Sequence, residues 1–505
     1  MTQCSFTHAT GGASRRCPRT VVADCDRCMF HLSPEERDAA GVSGGDLRET
    51  FLADVRSGDD RRKKLTGARL TDLDLSSLVL DGADLGRIAL QEVTIEGTLD
   101  LSGAVVGHPF DIVGCTIGRA DTTDTTFEAG VSVENTTLGP PEASPTCLTA
   151  RDGSFEKGLD ITGTELRGSV EFAACTVRGW LDVEDTTVTG RTHFPGASLA
   201  MAQFLGTEFE AAVEFAGASV DHLALEEIRL PEPLDLSNAT VGTLRSRPSG
   251  DAVVDLSEAT VSGGRLDQPT DGRVLYDLTE ATVGDIDLEC TPSTFDRYRF
   301  YRTGFSGFPF AANRDLLRAN GWRIHEYADD RPDDVEDLEI TYLQARQGAS
   351  AVGDDESASA FFVREMTYRR GRYAIHSQDP AYSLSHRIGA AGRWATNQFL
   401  GLVAGYGERP QRVLVAALLV ILGSGLAYPA LGGIDTDGGI VTYANAGASA
   451  VLDSLYFSVV TFTTLGLGDV EPVGGLARAV VGTEALAGAF LTALFVFALG
   501  RSVTR

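Results

Sequence analysis

Lysine is almost missing from this chain. Three lysines, Lys63, Lys64 and Lys157, stand among 505 residues, against forty arginines and seventy-one acidic residues. The formal net charge of −28 argues against a nucleic-acid partner, because phosphate binding is driven by clustered positive charge. The first thirty residues lack the apolar core of a secretory signal, so the N-terminus is expected to stay in the cytoplasm. The eight cysteines would then meet a reducing compartment, where a disulfide scaffold is a poor default. No acid–base pair, nucleophile constellation or phosphate-binding loop stands out, so no catalytic residues are assigned and no enzyme is expected.

What is present is length for several domains and an acidic surface of the kind found in archaea that balance external salt with internal potassium chloride. At such ionic strength the Debye length falls to roughly 3 Å, and self-repulsion from the excess acid becomes tolerable.

From Leu65 the chain reads in fives: "LTGARLTDLDLSSLVLDGADLGRIALQEVTI". Leu65, Leu70, Leu75, Leu80, Leu85, Leu90 and Ile95 recur every fifth residue. Ala68, Leu73, Leu78, Ala83, Ile88 and Val93 fall two places before six of them. A period of five suits neither helix nor flat strand; it suits a four-sided coil with one large and one small side chain per side stacked inward. This pattern resembles the pentapeptide-repeat proteins, which implies a right-handed quadrilateral β-helix. Looser pairs five apart continue the ladder: Ile161 and Leu166, Phe172 and Val177, Phe194 and Leu199, Leu236 and Val241. The solenoid is placed at about 65–290. Cys115 and Cys175 fall at its small inward positions and are expected to fill the core.

Residues 291–332 crowd aromatics with arginines and are expected to close the open end of the solenoid. Leu338, Tyr342 and Ala345, then Ala360, Phe361, Met366 and Tyr368, are spaced for an antiparallel helical hairpin over 333–376. Residues 384–408 are expected to carry a weakly amphipathic helix lying in a membrane interface.

Val413–Ala430 carries no charge, and Ala479–Leu499 carries only Glu484. Each is long enough to cross a bilayer core of about 30 Å. Arg409 and Arg412 precede the first run, Arg501 and Arg505 follow the second, and the segment after the first run has no Lys or Arg through Asp453. Positive flanks on both outer sides place both termini in the cytoplasm of a two-pass protein of the cell membrane. Between the runs, "DSLYFSVVTFTT" predicts a short helix, N-capped by Asp453 or Ser454, too short to span and too apolar for an exposed loop. A re-entrant half-helix fits, because irregular backbone at membrane depth is tolerated only where it lines a water-filled path.

That half-helix runs into Thr464, Leu465, Gly466, Leu467, Gly468 and Asp469, which align without a gap on the TVGYGD filter of potassium channels. With Pro472 and Arg478 at family positions, the segment 413–505 resembles the two-transmembrane pore-loop potassium channels of the ion channel 2 family. The resemblance implies a potassium ion held by the carbonyls of Thr464–Gly468, a homotetramer contributing four such loops, and a gating hinge at Gly488 in the second span. Gly466 and Gly468 are expected to supply positive φ. Leu467 stands where the family usually has Tyr, and the lost ring bears on potassium-over-sodium selectivity; Val460 stands where some members have Glu. Glu484 is expected to meet a helix partner rather than lipid.

Cys4, Cys17, Cys25, Cys28 and His31 fall within twenty-eight residues at the start. The spacing suits a closed tetrahedral zinc site, structural because no fourth position is left for water. Cys4, Cys17, Cys28 and His31 form the preferred set over residues 1–40, by resemblance to the N-terminal segments of haloarchaeal pentapeptide channel proteins. Cys25 could replace His31.

The chain is thus expected to be a cation channel with a cytoplasmic β-helix that regulates it or binds an unknown partner or ligand. No voltage-sensing helix precedes the pore, and a stimulus is expected to enter from the N-terminal side. Two rivals stay open: a weakly selective cation pore, and a membrane-tethered interaction protein whose pore is closed.

Overall fold

The computed structural model describes residues 2–10, 13–57, 59–80, 86–140, 144–325, 334–447 and 449–503. Ala83, Leu85 and Arg505, named above for the repeat and the charge flank, lie outside them. Residues 1–332 with 347–352 form one compact unit, and 333–346 with 353–505 a second.

The first unit is a β-solenoid of about 11 turns. Before the solenoid, Thr7–Thr10 and Ala13–Arg16 form an antiparallel hairpin; the solenoid strands are short and parallel, two to nine residues long, and pair with strands one turn away. Leu181, Ala202, Leu223 and Leu244 stack in register, twenty-one residues apart. That is four sides of about five residues, the period the sequence displays. The described members of the five-residue ladder are buried throughout, from Leu65 at 0% exposure to Val241 at 0%. Phe172, Phe194 and Phe215 form a stacked column, with ring centroids 5.0 and 4.2 Å apart.

The corners obey a second rule. One column of turns bends at residues with positive φ that include Asp124, Asp152, Ala174, Asn238 and Glu280; another bends at Glu92, Asn135 and Asp185. Asp and Asn tolerate the left-handed region because their short side chains bond local backbone. Beside that second corner runs an inward column of small polar residues. Thr164 Oγ1 donates to the Val133 carbonyl at 3.3 Å, Thr186 to Ile161 at 3.3 Å and Thr207 to Val183 at 3.1 Å. Cys115 occupies the same column, and its thiol donates to the Leu90 carbonyl at 3.4 Å. Burial pushes Cys115 up to about 11 and Cys175 up to about 12, so both stay protonated, as core filler should.

The ladder continues past 290. Tyr276 pairs with Tyr298, and Val283 with Phe305, so the start of the aromatic segment read as a closing cap is itself part of a last turn. Its rings replace the aliphatic ladder, which hides the period. A short helix α3 (Arg314–Ala319) follows. At the other end, α1 (Pro34–Ala39) and α2 (Gly44–Arg56) each start with a capping box, Ser33 with Glu36 and Ser43 with Asp46.

The second unit begins with α4 (Val335–Ala351) and α5 (Asp355–Gln378). Arg346 pairs with Glu365 at 3.0 Å and Glu339 with Arg372 at 2.9 Å. One sequence number rises as the other falls, so the two helices run antiparallel. Then come α6 (Leu384–Ala404), α7 (Pro410–Ala427), α8 (Tyr443–Ala446), α9 (Ser449–Phe462) and α10 (Gly475–Val503).

Phe194→Ala would remove the middle ring of the stacked column and should cost about 3–5 kcal/mol. The urea midpoint of the β-rich transition should fall accordingly, whereas Trp180→Ala, on the exposed side of a strand, should leave it nearly unmoved.

Candidate functional site

Two groups of residues hold chemistry beyond packing, one in each unit. In the second unit, the stretches Pro410–Ala430 and Gly475–Arg501, 21 and 27 residues long, are long and apolar enough to cross a membrane. Between them, a three-stranded sheet of Ile434–Thr436, Gly439–Val441 and Glu471–Pro472 brings the two ends of the intervening segment together. α9 is apolar and only 14 residues long. It starts at Ser449, four residues before Asp453 and five before Ser454, the expected cap positions; Ala450 packs at 0% exposure, and Ser454 is itself buried. Phe457 packs with Tyr428, Ile434 and Ala477, and Phe462 with Val413 and Leu491, so α9 is wedged between the two long helices.

At the end of α9 the backbone changes hand. Thr464, Gly466 and Gly468 have φ of 52°, 56° and 76°, and Leu465 and Leu467 between them do not share the positive sign. A left-handed residue at every second position turns successive peptide planes the same way, so the carbonyls point to one side instead of alternating. No heavy atom lies within 4 Å of a Cβ built on Gly466 or Gly468, so the requirement for glycine there comes from φ, not from crowding. Sequence reasoning anticipated the two glycines and missed Thr464, which takes the same conformation at greater steric cost.

The row is held from both ends. The amides of Thr464 and Leu465 donate to the carbonyls of Thr461 and Val460 at 3.0 and 3.1 Å, and Tyr456 Oη donates to Asp469 Oδ2 at 2.8 Å. Tyr456 was not singled out from the sequence; its spacing thirteen residues before an acid gives no signal without the turn between them. Leu465 and Leu467 are 64% and 61% exposed in the single chain. Gly488 lies in an unbroken α10, and a Cβ there would sit 2.0 Å from the Phe462 carbonyl. In this conformation glycine is needed for close approach to the end of α9. At the far end of α10, Arg501 pairs with Glu408 at 2.6 Å and lies 5.1 Å over the Phe362 ring, while Ser359 donates to the same carboxylate.

In the first unit, Cys4, Cys17, Cys28 and His31 are all buried, and their donor atoms lie within 4.8 Å of one another. Cys25 is outside this group. Cys17 Sγ is 3.8 Å from Cys28 Sγ, and His31 Nδ1 is 3.5 Å from Cys4 Sγ and 3.2 Å from Cys28 Sγ. His31 Nε2 lies 2.8 Å from the Thr66 carbonyl. That acceptor needs the proton on Nε2, which leaves the Nδ1 lone pair facing the three sulfurs, the usual way a metal-binding histidine is oriented. The hydrogen bond with Cys28, helped by His31, holds Cys17 far below the ordinary thiol range, and the same bond together with burial pushes Cys28 up. Three thiols and an imidazole converging this closely could hold a metal ion. Around them, Phe6 stacks on His31 at 3.9 Å, and Arg19 pairs with Asp54 at 2.6 Å with both side chains buried.

Tyr456→Phe would remove the hydroxyl that donates to Asp469 and should loosen the end of the row after Gly468. Hydrogen exchange of the amides between Thr464 and Asp469 should speed up; unchanged exchange would show that Tyr456 does not brace this stretch. For the first unit, elemental analysis of the purified chain should find one metal ion per chain if these four residues bind one. Cys17→Ser or His31→Ala should weaken binding by more than the roughly 10–100-fold that loss of an outer partner costs, and Cys25→Ser should not. A metal ion held by thiolates is displaced by protons, so the ion should be released as pH falls.

No curated protein and no solved structure matches this chain. Residues 416–505, which hold the last two-thirds of α7, α9, the stretch from Thr464 to Asp469 and α10, match the family model of ion channels, and this part of the chain is an ion-channel domain.

Proposed function

We propose that the chain is a homotetrameric potassium channel whose filter is the row from Thr464 to Asp469. The observation that carries this is the alternation of positive φ at Thr464, Gly466 and Gly468 at the end of an apolar half-helix. Carbonyls aimed at one axis replace the hydration shell of a cation, and the C-terminal end of α9 adds partial negative charge behind them. One chain supplies one wall of such a path, so four are required. Potassium ions, the transported substrate, lose water to these carbonyls, and the second span opens by bending near Gly488. The exposed Leu467, in place of an aromatic ring, makes a weakly selective cation pore the second reading.

The remaining parts take supporting roles. The solenoid is a pentapeptide-repeat domain from a salt-adapted archaeon, cytoplasmic like both termini, and it regulates the pore or binds a partner. Structural zinc on Cys4, Cys17, Cys28 and His31 closes its first turn, and the α6 region lies in the membrane interface. The pairing of Arg501 with Glu408 and Phe362 offers a route from the helical hairpin to the end of the inner span.

Purified protein in liposomes should pass potassium, and its mass in detergent should be four times 53.6 kDa. Absence of flux, or a monomer by mass, would sink this reading.

A further inference from the structure

Glu484 sits one helical turn before Gly488 on α10 and is 2% exposed. An ionisable side chain within a membrane span is costly unless it is hydrogen-bonded. Here the carboxyl meets two hydroxyls: Tyr428 Oη donates to Oε2 and Ser458 Oγ to Oε1. Both partners are themselves 0% exposed. The three residues come from three elements: the end of the first span, the middle of α9, and α10. Ser458 Oγ also lies 2.8 Å from the Ile421 carbonyl on α7. Its single hydroxyl hydrogen faces two acceptors, so Ser458 ties α9 to α7 and to α10 at one point.

A second contact runs parallel to this one. Gly488, four residues after Glu484, is pressed against the carbonyl of Phe462, four residues after Ser458. Inner span and half-helix therefore touch at two points one turn apart on each, which fixes both height and rotation of α9. The filter begins at Thr464, six residues beyond Ser458. Leu467 offers no hydroxyl with which to brace the filter from its own side chain.

We propose that Glu484 is a positioning residue that sets the ion preference of the filter: with Tyr428 and Ser458 it clamps α9 to both spans, and so holds the carbonyl row from behind. The proposal rests on the channel reading above, and it deepens that reading by naming what holds the filter in place of a side chain at position 467.

The test compares wild type with Glu484→Gln, Glu484→Val, Tyr428→Phe and Ser458→Ala, each reconstituted as the full chain. Two readouts are taken: the potassium-to-sodium permeability ratio, and hydrogen exchange of the amides of residues 455–465. Gln can donate to one hydroxyl and accept from the other, so Glu484→Gln should keep the ratio within about twofold. Glu484→Val should lower it by about fivefold or more and speed exchange of the half-helix by about tenfold, the loss of one to two buried hydrogen bonds. If Glu484→Val does not assemble, Tyr428→Phe and Ser458→Ala, which each remove a single hydroxyl, should lower the ratio in the same direction. A Val variant with wild-type ratio and wild-type exchange overturns the proposal. A Gln variant as damaged as Val also overturns it, because Gln can keep the hydrogen bonds of the clamp. If wild type passes no ions, the channel reading fails, while the exchange comparison still decides whether Glu484 holds α9.

Discussion

Backbone carbonyls that face one way repel one another, and a chain holds them so only where something returns the cost. From Thr464 to Gly468 residues of positive φ alternate with residues that lack it, which favours that arrangement. A cation among the oxygens is what would relieve it. Much of the second unit serves to keep this short stretch in place. α9 is wedged between two long helices, Tyr456 braces Asp469, and Gly488 lets α10 come close beneath the end of α9. Remove the row, and a buried carboxyl at Glu484, a missing Cβ at Gly488 and a half-length apolar helix have no common reason.

The first unit solves a different problem with a similar economy of backbone. A solenoid has no closed core; each turn is buried only by its neighbours, so both ends must be covered. At one end the aromatic turn at Tyr298 and Phe305 thickens the stack. At the other, a cluster of three cysteines and a histidine is tied to the first strand through the bond between His31 and the Thr66 carbonyl. A metal ion bound there would give a small segment the order that its few apolar side chains, such as Phe30 and Leu32, supply only in part.

What the sequence disclosed was local or periodic. The five-residue ladder was plain because every turn repeats the same inward pair, and the glycine-rich turn after α9 because six adjacent residues carry it. Crowded cysteines suggested a metal group, resemblance to other N-terminal segments favoured His31 over Cys25, and the fold brings Cys4, Cys17, Cys28 and His31 together. Features that depend on distant residues were hidden. The left-handed corners at Asp124, Asp152 and Glu280 are twenty or more residues apart and vary in type. Tyr456 and Asp469, or Tyr428, Ser458 and Glu484, become partners only once the chain has turned back on itself. The early start of α9 escaped because polar Asp453 and Ser454 read as a cap, whereas Ser454 points into a packed interface.

The central claim is that the alternating backbone between Thr464 and Gly468 conducts and selects potassium. The reversal potential of the purified channel in a planar bilayer, with potassium on one side and sodium on the other, tests it most directly. A reversal displaced strongly toward the potassium equilibrium potential is the predicted result. Current that reverses near zero, or no current at all from assembled protein, would contradict it.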